Sequence, residues 1–476
     1  MRRELIDALT AVVGAGYVQL GGEIEPRFLE EPRRRWRKQP ALLVRPASTA
    51  ETAAVITLCA QHGLPVIPRG GGTGTVGGAS ASADGRECML SLDRMSAIRG
   101  IDTDAASMTL EAGAVLDRAR REANAHGLDI PISLASGGSA TLGGIIASNA
   151  GGHTTLRHGN ARQMLLGVEA VLADGRVLNL LSSLRKDNTG YDLVGLLAGS
   201  EGTLAVITAL TLALVPLPNE RFTAWCALDS PADALALLRH CRAGMGETLS
   251  AFELIPRRAL ELVLAHLPDA RDPLDRPAPW YVLVEADSTL AGDHLSGACQ
   301  AVLSRALESG LAAEVAVARS EAQRHALWRL RESIHAAQRQ AGASIKHDIS
   351  LPIAALPEMI AGTLAQLQQE VPGIRPCVFG HVGDGNLHFN LSRPANWSDE
   401  AFMAEEARIN RIVFDRVLAL GGSIAAEHGI GQLRVAELAR RADPVKLDLL
   451  RRIKHALDPD NLLNPGKLIV PKPKVG

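Results

Sequence analysis

Glycine is concentrated in two segments of this 476-residue chain, and these segments restrict its fold more than any other feature. The first, Pro68 to Ser80 (PRGGGTGTVGGAS), places six glycines in nine positions directly after the apolar run PVIP. Because glycine has no Cβ, consecutive backbone N–H groups can crowd around a phosphate without obstruction. We interpret the segment as a pyrophosphate-binding loop, with an ordinary surface turn as the alternative.

Gly72, Gly74 and Gly77 also satisfy the G-x-G-x-x-G pattern of dinucleotide-binding folds. Those folds require a helix to begin at the loop. The residues that follow here, GASASADGRE, are typical of turns. The context therefore argues against a Rossmann fold.

The second segment, Ser136 to Gly152 (SGGSATLGGIIASNAGG), has small residues at nearly every position. Its backbone can approach a large planar ligand closely, and its polar side chains can hydrogen-bond to that ligand. A third segment of this kind is GSEGTLAVIT, Gly199 to Thr208. Three such segments indicate one shared large ligand better than three unrelated turns.

Histidine is concentrated further along the chain, in FGHVGDGNLHFN, Phe379 to Asn390. Asp384-Gly385 predicts a two-residue hairpin turn, which would place His381 directly opposite His388 on one face. Paired Cβ atoms lie roughly 5 Å apart, a spacing that lets two imidazoles bind one divalent ion. A buried, hydrogen-bonded core histidine is the alternative for either residue.

A second constellation, AAEHGIGQLR, supplies Glu427 as a carboxylate ligand and His428 beside it as a base. His381, His388 and Glu427 would form a two-histidine, one-carboxylate set that leaves coordination positions open for a substrate. Upstream, Ser320 to Gly342 predicts one capped amphipathic helix with Arg331 and His335 on the same face.

Together these motifs, with LLNPGKL near the end, resemble the FAD-binding vanillyl-alcohol oxidase family. The histidine motifs, KHDISLP and LDPDNLLNPGKL resemble its D-2-hydroxyglutarate, D-lactate and glycolate dehydrogenase branch. The resemblance implies an α+β protein: a two-subdomain FAD-binding fold of the vanillyl-alcohol oxidase (PCMH) type at 1–218, an α+β substrate cap with the metal site at 219–454, and a C-terminal segment, 455–476, that returns to the FAD domain. Since the Pro68–Ser80 loop contains no histidine, we expect non-covalent FAD.

The resemblance also implies roles for individual residues. In the phosphate loop, FAD-binding residues would be Pro68, Gly70, Gly71, Gly72, Thr73, Gly74, Thr75 and Gly77. Along the flavin they would be Ser136, Gly138, Ser139, Gly143, Gly144, Ile145, Ser148, Asn149 and Gly152, and at the adenosine end Glu201, Gly202, Val206 and Ile207, with Asn464 returning from the C-terminal segment.

His381, His388 and Glu427 would bind zinc, or alternatively manganese, and His428 would be the catalytic base. Arg331, His335, Lys346 and Asn390 would bind a small anionic 2-hydroxy acid. D-2-hydroxyglutarate is the first expectation, and the reaction would form the 2-oxo acid with hydride transfer to flavin N5. His335 stands where hydroxyglutarate-specific members tend to have threonine, so D-lactate and glycolate remain alternatives.

Composition excludes several other classes. The 50 basic and 52 acidic residues nearly cancel, which argues against a nucleic-acid partner. No apolar stretch is long enough for a transmembrane segment, and Glu4 and Asp7 interrupt any signal peptide, so a cytoplasmic location is expected. The six dispersed cysteines are expected to be buried, reduced thiols.

Other functions remain alternatives from the sequence. A zinc hydrolase would use the same ligands, and a non-catalytic subunit or a sugar oxidase would use the same flavin fold. The electron acceptor is unknown and could be an electron-transfer flavoprotein, a quinone or a cytochrome. The oligomeric state is equally open, with a homodimer as one candidate.

Overall fold

The computed structural model describes residues 3–36, 38–82, 85–290, 292 and 294–470. The chain divides into two compact units, the first formed by Met1–Gly151, Asn160–Leu217 and Glu427–Gly476, and the second by Gly152–Gly159 and Pro218–Ala426. The chain enters the second unit at Pro218, next to the boundary predicted at 218/219. It returns to the first unit at Glu427, earlier than the predicted residue 455. Residues 471–476 of the predicted C-terminal segment lie outside the described part.

The first unit contains eleven of the described strands, arranged in three sheets. They are β1 (Val18–Leu20), β2 (Leu42–Val44), β3 (Val66–Arg69), β4 (Cys88–Ser91), β5 (Ile98–Asp102), β6 (Ser107–Glu111), β7 (Leu128–Asp129), β8 (Leu165–Val171), β9 (Val177–Leu180), β10 (Val206–Ala213) and β11 (Val215–Pro216). One sheet has the order β1-β2-β4-β3 and another β5-β6-β10-β8-β9, while β7 pairs with β11. The central strand β10, VITALTLA, is buried at every position, as expected for a strand with neighbours on both sides.

Helices complete the first unit around a single large apolar cluster. They are α1 (Arg3–Val13), α2 (Pro26–Leu29), α3 (Thr49–Gln61), α4 (Leu116–Ala125), α5 (Leu142–Ser148), α7 (Ala161–Met164), α8 (Leu193–Leu197), α17 (Val435–Arg441) and α18 (Pro444–Leu457). The helix α3 begins at Thr49, and the Ser48 hydroxyl caps it by accepting a hydrogen bond from the Glu51 N–H at 3.1 Å.

The second unit is built on one seven-stranded sheet of order β15-β12-β14-β13-β17-β18-β16. Its strands are β12 (Glu220–Leu228), β13 (Leu249–Pro256), β14 (Trp280–Ser288), β15 (Glu314–Val317), β16 (Ser344–Ser350), β17 (Arg375–His381) and β18 (Asn386–Ser392). Its helices are α6 (Thr155–His158), α9 (Pro231–Met245), α10 (Arg257–His266), α11 (His294–Glu308), α12 (Glu321–Glu332), α13 (Ile334–Gln340), α14 (Leu356–Glu370), α15 (Asp399–Ala404) and α16 (Glu406–Ala419).

Both faces of this sheet are covered, since alternate residues of one strand belong to different apolar clusters. In β13, Phe252 and Leu254 pack into a cluster with α9, α11, α14 and α16. Ala251 and Ile255, which point the other way, pack into a cluster with α10, α12 and α13. The α+β class predicted from the sequence is confirmed.

The helix predicted over Ser320–Gly342 is wrong in one respect, because the structure divides it into α12 and α13 at Ser333. Its predicted start is confirmed: the Ser320 hydroxyl accepts a hydrogen bond from the Gln323 N–H at 3.2 Å. The residues around Ser320 predict where the helix starts. The apolar periodicity does not predict the break at Ser333. All six cysteines are free and buried, as expected.

Candidate active site

The two glycine-rich segments meet inside the first unit. The Gly71 N–H donates a hydrogen bond to the Thr141 hydroxyl at 3.2 Å. A Cβ at Gly71 would collide with the carbonyl oxygen of Ser139, and one at Gly70 with the Thr141 hydroxyl. Glycine is thus required at these positions by close backbone approach. In the described part of the loop, no helix begins before β4, which confirms the exclusion of a Rossmann fold.

Parts of the meeting segments stay open in a way that fits a bound dinucleotide. Gly71, Gly74 and Gly144 are exposed although their neighbours are largely covered, and a Cβ at Gly74 would meet no protein atom within 4 Å. The Thr75 hydroxyl is buried and has no hydrogen-bond partner among the described atoms. Because a buried hydroxyl without a partner is costly, Thr75 fits a position meant for a ligand oxygen.

Several side chains predicted to face the flavin instead make hydrogen bonds to nearby backbone groups. The Ser148 hydroxyl donates to the Gly144 carbonyl at 2.9 Å, and the Ser139 hydroxyl to the Ser136 carbonyl at 3.4 Å. Asn149 has a left-handed φ of 49° and accepts from the Arg162 N–H at 2.9 Å. Contacts to a ligand here would therefore come mainly from backbone.

The other residues predicted to bind FAD lie along the same elements, with one exception. Pro68 is in β3, Thr73 is in the loop after it, Gly138 precedes α5, Gly143 and Ile145 are in α5, Gly202 precedes β10, and Val206 and Ile207 are in β10, whereas Gly152 belongs to the second unit.

The segment after Glu427 is bound to these loops by polar contacts. The Asn464 amide donates to the carbonyls of Gly78 and Glu201 at 3.0 and 2.8 Å. The Glu201 carboxylate accepts from the N–H groups of Ile430 and Gly431 at 2.8 and 2.7 Å. The predicted return of Asn464 to the glycine-rich loops is therefore present, and this network is also why the return begins well before residue 455.

Lys467 adds a buried charge to the same network. Its ammonium group donates to the carbonyls of Gly78 and Ser80 at 3.0 and 2.7 Å. Burial lowers the pKa of Lys467 to about 7, against the opposing effect of Glu87 and Glu201. The lysine was not singled out from the sequence, since nothing in PGKL shows that its side chain turns inward.

In the second unit, the predicted hairpin exists but its register differs. Strands β17 and β18 pair antiparallel, and His388 lies opposite Phe379 rather than His381. The prediction was wrong because four residues, Val382 to Gly385, connect the strands instead of a two-residue turn. A register change of two residues keeps each side chain on its original face. The rings of His381 and His388 accordingly remain neighbours, with centroids 5.5 Å apart.

The neighbouring strand β16 extends this polar face. Lys346 lies opposite Asn390, and Asp348 lies opposite His388. His347 between them points to the other face, where its ring contacts the Asn410 amide oxygen at 2.8 Å. The face therefore collects cationic, amide, imidazole and carboxylate groups from three adjacent strands.

Arg331 and His335 reach this face from the helices above it. The Arg331 guanidinium lies 4.9 Å from the Phe379 ring centroid, and the His335 ring lies 5.1 Å from the same ring. His335 is also 5.1 Å from the His388 ring. The predicted shared face of these two residues survives the helix break, because both still approach Phe379. The Asn390 amide donates to Gln338 of α13 at 2.8 Å.

A buried carboxylate that the sequence did not suggest, Glu253 of β13, connects these groups. Its Oε1 accepts from His381 Nδ1 at 2.6 Å and its Oε2 from Arg331 Nε at 2.8 Å. Burial works to raise the pKa of Glu253, but the His381 and Arg331 charges outweigh burial and lower it to about 2. The sequence does contain a signal for Glu253, because it is a charged residue inside the apolar run AFELIP.

Within the second unit, Asp348 of β16 lies beside His388 of β18, with 4.0 Å between Asp348 Oδ1 and His388 Nδ1, and both side chains can bind a metal ion. Asp348 was missed from the sequence as a ligand, although the spacing of Lys346 and Asp348 places both on one face of a strand. A further carboxylate in the β17–β18 turn, Asp384, has its pKa raised to about 6 by burial. Nitrogen and carboxylate oxygen donors of this kind suit zinc or manganese.

Glu427 and His428 open the last stretch of the first unit. The Glu427 carboxylate lies 3.5 Å from His428 Nε2. A backbone with glycines at 429 and 431, both in the left-handed region, follows them. The pair predicted as ligand and base is therefore held on a tightly turned segment.

A sheet-and-helix first unit with open glycine loops, and a second unit whose sheet presents buried cations and imidazoles, define a flavin-dependent oxidoreductase. Family models agree: residues 40–181 match the FAD binding domain, and residues 217–468 match the C-terminal domain of FAD linked oxidases. The chain belongs to the FAD-linked oxidase family. This membership removes the basis for the zinc-hydrolase alternative, in which the glycine loops were merely structural.

Relatives support the family membership, and a solved structure supports the fold. D-2-hydroxyglutarate dehydrogenase of Bos taurus, a mitochondrial protein, is 37% identical over 94% of this chain and 80% of its own length. The enzyme of the same name from Xanthomonas citri pv. viticola is 37% identical over 91% of this chain and 90% of its own. The fold also matches a substrate-bound crystal structure of p-cresol methylhydroxylase with a TM-score of 0.77, at 17% identity, over 98% of this chain and 96% of that one.

Across the described residues, none of the helices combines the length and the apolarity needed to cross a membrane. This agrees with the absence of a transmembrane segment in the sequence analysis.

Proposed function

We propose that the protein oxidises D-2-hydroxyglutarate to 2-oxoglutarate, passing two electrons to FAD. The observation that carries the proposal is the polar face of the second unit, where Arg331 and Lys346 supply positive charge beside Asn390 and the histidines. A dicarboxylate offers an acceptor group for each cation. The names of the relatives support this substrate, and D-lactate or glycolate remains the alternative because His335 would take the place of a smaller side chain.

Binding is assigned to side chains with complementary chemistry. Arg331 presents a planar fork of donors that suits a carboxylate, and Lys346 presents a compact positive charge. Asn390 and His335 would contact the remaining oxygens of the substrate. A sugar or alditol has no carboxylate for these cations, which disfavours that alternative.

His428 is assigned as the base that accepts the proton of the C2 hydroxyl, while the hydrogen on C2 leaves with its electron pair toward FAD. FAD supplies the electron sink for this step when it is bound. His381, His388 and Glu427 would hold a divalent ion, zinc or manganese, that contributes Lewis-acid assistance at the hydroxyl. Asp348 is a further ligand candidate by its position opposite His388.

We also make proposals about the attachment of FAD, the electron acceptor and the location of the protein. We expect FAD to be non-covalent, since the phosphate loop carries no histidine. Reduced FAD would pass its electrons to a flavoprotein, a quinone or a cytochrome. We propose a cytoplasmic location, and the oligomeric state stays open, with a homodimer as one candidate.

The test is anaerobic bleaching of the flavin absorbance of purified protein with D-2-hydroxyglutarate, D-lactate, glycolate and the L-enantiomers of the first two. We expect fastest bleaching by D-2-hydroxyglutarate, little by L-acids, and loss of the reaction after treatment with a chelator followed by gel filtration. Readdition of zinc or manganese should restore it. A flavin that no 2-hydroxy acid reduces would overturn the proposal, and preference for D-lactate would transfer it to the alternative substrate.

A further inference from the structure

Glu253 is a carboxyl group in the interior of a sheet, an environment that ordinarily excludes such groups. It is 1% exposed and lies in the interior of β13, between Phe252 and Leu254. A buried carboxylate is tolerated where its charge and lone pairs are matched by partners. The groups that contact Glu253 should therefore explain why a carboxyl group is buried at this position.

Each oxygen of Glu253 has a separate partner from a separate element. Oε1 accepts from His381 Nδ1 at 2.6 Å. Oε2 accepts from Arg331 Nε at 2.8 Å and lies 2.7 Å from Arg331 Nη2. One carboxylate thus connects the end of β17 with the last turn of α12.

The contact to His381 specifies which ring nitrogen carries hydrogen. A carboxylate accepts, so Nδ1 donates, and in the neutral imidazole that binds a metal the lone pair is then on Nε2. Hydrogen bonding of one ring nitrogen to a carboxylate is how proteins orient a histidine whose other nitrogen binds a metal. Glu253 would therefore prepare His381 for an ion.

The contact to Arg331 specifies which edge of the guanidinium is used. Glu253 accepts a hydrogen bond from Nε and lies 2.7 Å from Nη2, but Nη2 itself makes no hydrogen bond among the described atoms and keeps donor capacity for a ligand. The Phe379 ring, 4.9 Å from the guanidinium carbon, restricts the same group from another side. The orientation of the cation is then determined before any substrate arrives.

We propose that Glu253 is a positioning residue that aligns His381 for metal binding and Arg331 for substrate carboxylate binding at once. This role rests on the proposed function, because it concerns the same residues. The effect of Glu253 on metal binding does not depend on which substrate the protein oxidises.

The neighbouring strand provides a matched control. Glu285 of β14 is also buried, 7% exposed, and it accepts hydrogen bonds from Trp328 Nε1 at 2.5 Å and from Thr223 Oγ1 at 2.8 Å. Trp328 and Arg331 belong to the same helix. Glu285 thus attaches α12 to the sheet as Glu253 does, but it contacts Trp328 instead of His381.

The test compares Glu253→Gln with Glu285→Gln in FAD-loaded protein. Glutamine replaces one of the two carboxylate oxygens by an NH2 donor, so the contact to either His381 or Arg331 is lost. We expect Glu253→Gln to weaken zinc binding by roughly 10- to 100-fold, measured by competition with a chromogenic chelator, and to raise KM more than it lowers kcat. Glu285→Gln should lower the melting temperature without changing zinc affinity. Equal zinc affinity in both variants would overturn the proposal.

A second measurement covers the case in which Glu253→Gln does not fold. In wild-type protein labelled with ¹⁵N-histidine, the ring signals that disappear in His381→Gln identify His381. We expect them to show hydrogen on Nδ1, and hydrogen on Nε2 alone would overturn the proposal. Zinc affinity and tautomer need no substrate, so failure of the proposed reaction would show up separately, as a flavin that stays oxidised.

Discussion

The two units achieve binding by opposite means. In the first, the glycine-rich loops remove side chains so that backbone can approach a ligand, and the close contact of Gly71 with Ser139 depends on that removal. In the second, strands β13, β16, β17 and β18 bring charged side chains into a buried face, where Glu253 compensates Arg331. The first surface should be sensitive to added atoms, and the second to lost or altered charge. Changes at Gly74 and Arg331 test this contrast directly, and two further predictions concern His428 and Lys467 of the first unit.

The largest effect is expected at His428. His428→Ala should retain FAD and metal but slow flavin reduction by at least roughly 100-fold, the scale of general-base catalysis. Stopped-flow reduction under anaerobic conditions measures it, with His455→Ala, an exposed histidine on α18, as the control. Near-normal reduction in the His428 variant would remove this residue as the base.

Arg331→Lys should raise KM for D-2-hydroxyglutarate by roughly 10- to 100-fold while changing kcat less, because charge-assisted hydrogen bonds contribute about 1.5–3 kcal/mol. Lysine keeps a positive charge beside Glu253 but loses the planar fork, so the melting temperature should fall only slightly. Arg329→Lys, at an exposed position of the same helix, is the matched control. Steady-state kinetics with equal KM for both variants would contradict the assigned contact.

Gly74→Val tests the first unit by adding atoms where no protein atom lies within 4 Å. The stability of the FAD-free protein should not change, whereas FAD binding should weaken by about 10-fold or more if the loop encloses a phosphate. Gly100→Val, which also meets open space, should change neither property. Fluorescence titration of FAD distinguishes the outcomes, and unchanged FAD affinity would favour the surface-turn interpretation.

The smallest effect concerns stability against pH. The pKa of Lys467 is lowered from 10.5 to about 7, so between these values the unfolded state binds more protons than the folded state. The free energy of unfolding should therefore gain about 1 kcal/mol per pH unit from this residue as pH rises through that window. The contribution is present at high pH and is lost as pH falls through 7.

Urea unfolding between pH 7 and pH 10 measures this slope. Lys467→Met should reduce it relative to wild type, whereas Lys446→Met, at an exposed position, should leave it unchanged. Parallel pH profiles for wild type and the Lys467 variant would show that folding does not lower the pKa of this lysine.

Prediction from sequence succeeded where chemistry is local. The Ser320 cap and the alternation of side chains along Phe379–Asn390 depend on residues within a few positions of each other. The hairpin register failed because it depends on the conformation of Val382 to Gly385, and the Asp384-Gly385 pair does not determine how many residues the turn contains. The break at Ser333 failed for a similar reason, since the apolar periodicity continues across it.

The sequence by itself determined the fold class, the glycine loops and which strand residues share a face, because these follow from residue size and from the two-residue period of a strand. Tertiary structure alone decided that Glu253 would bind His381, 128 residues away, and Arg331, 78 residues away. It also decided that Lys467 would turn in toward Gly78. Strand order and helix packing determine which distant residues come into contact. These contacts leave no local pattern in the sequence.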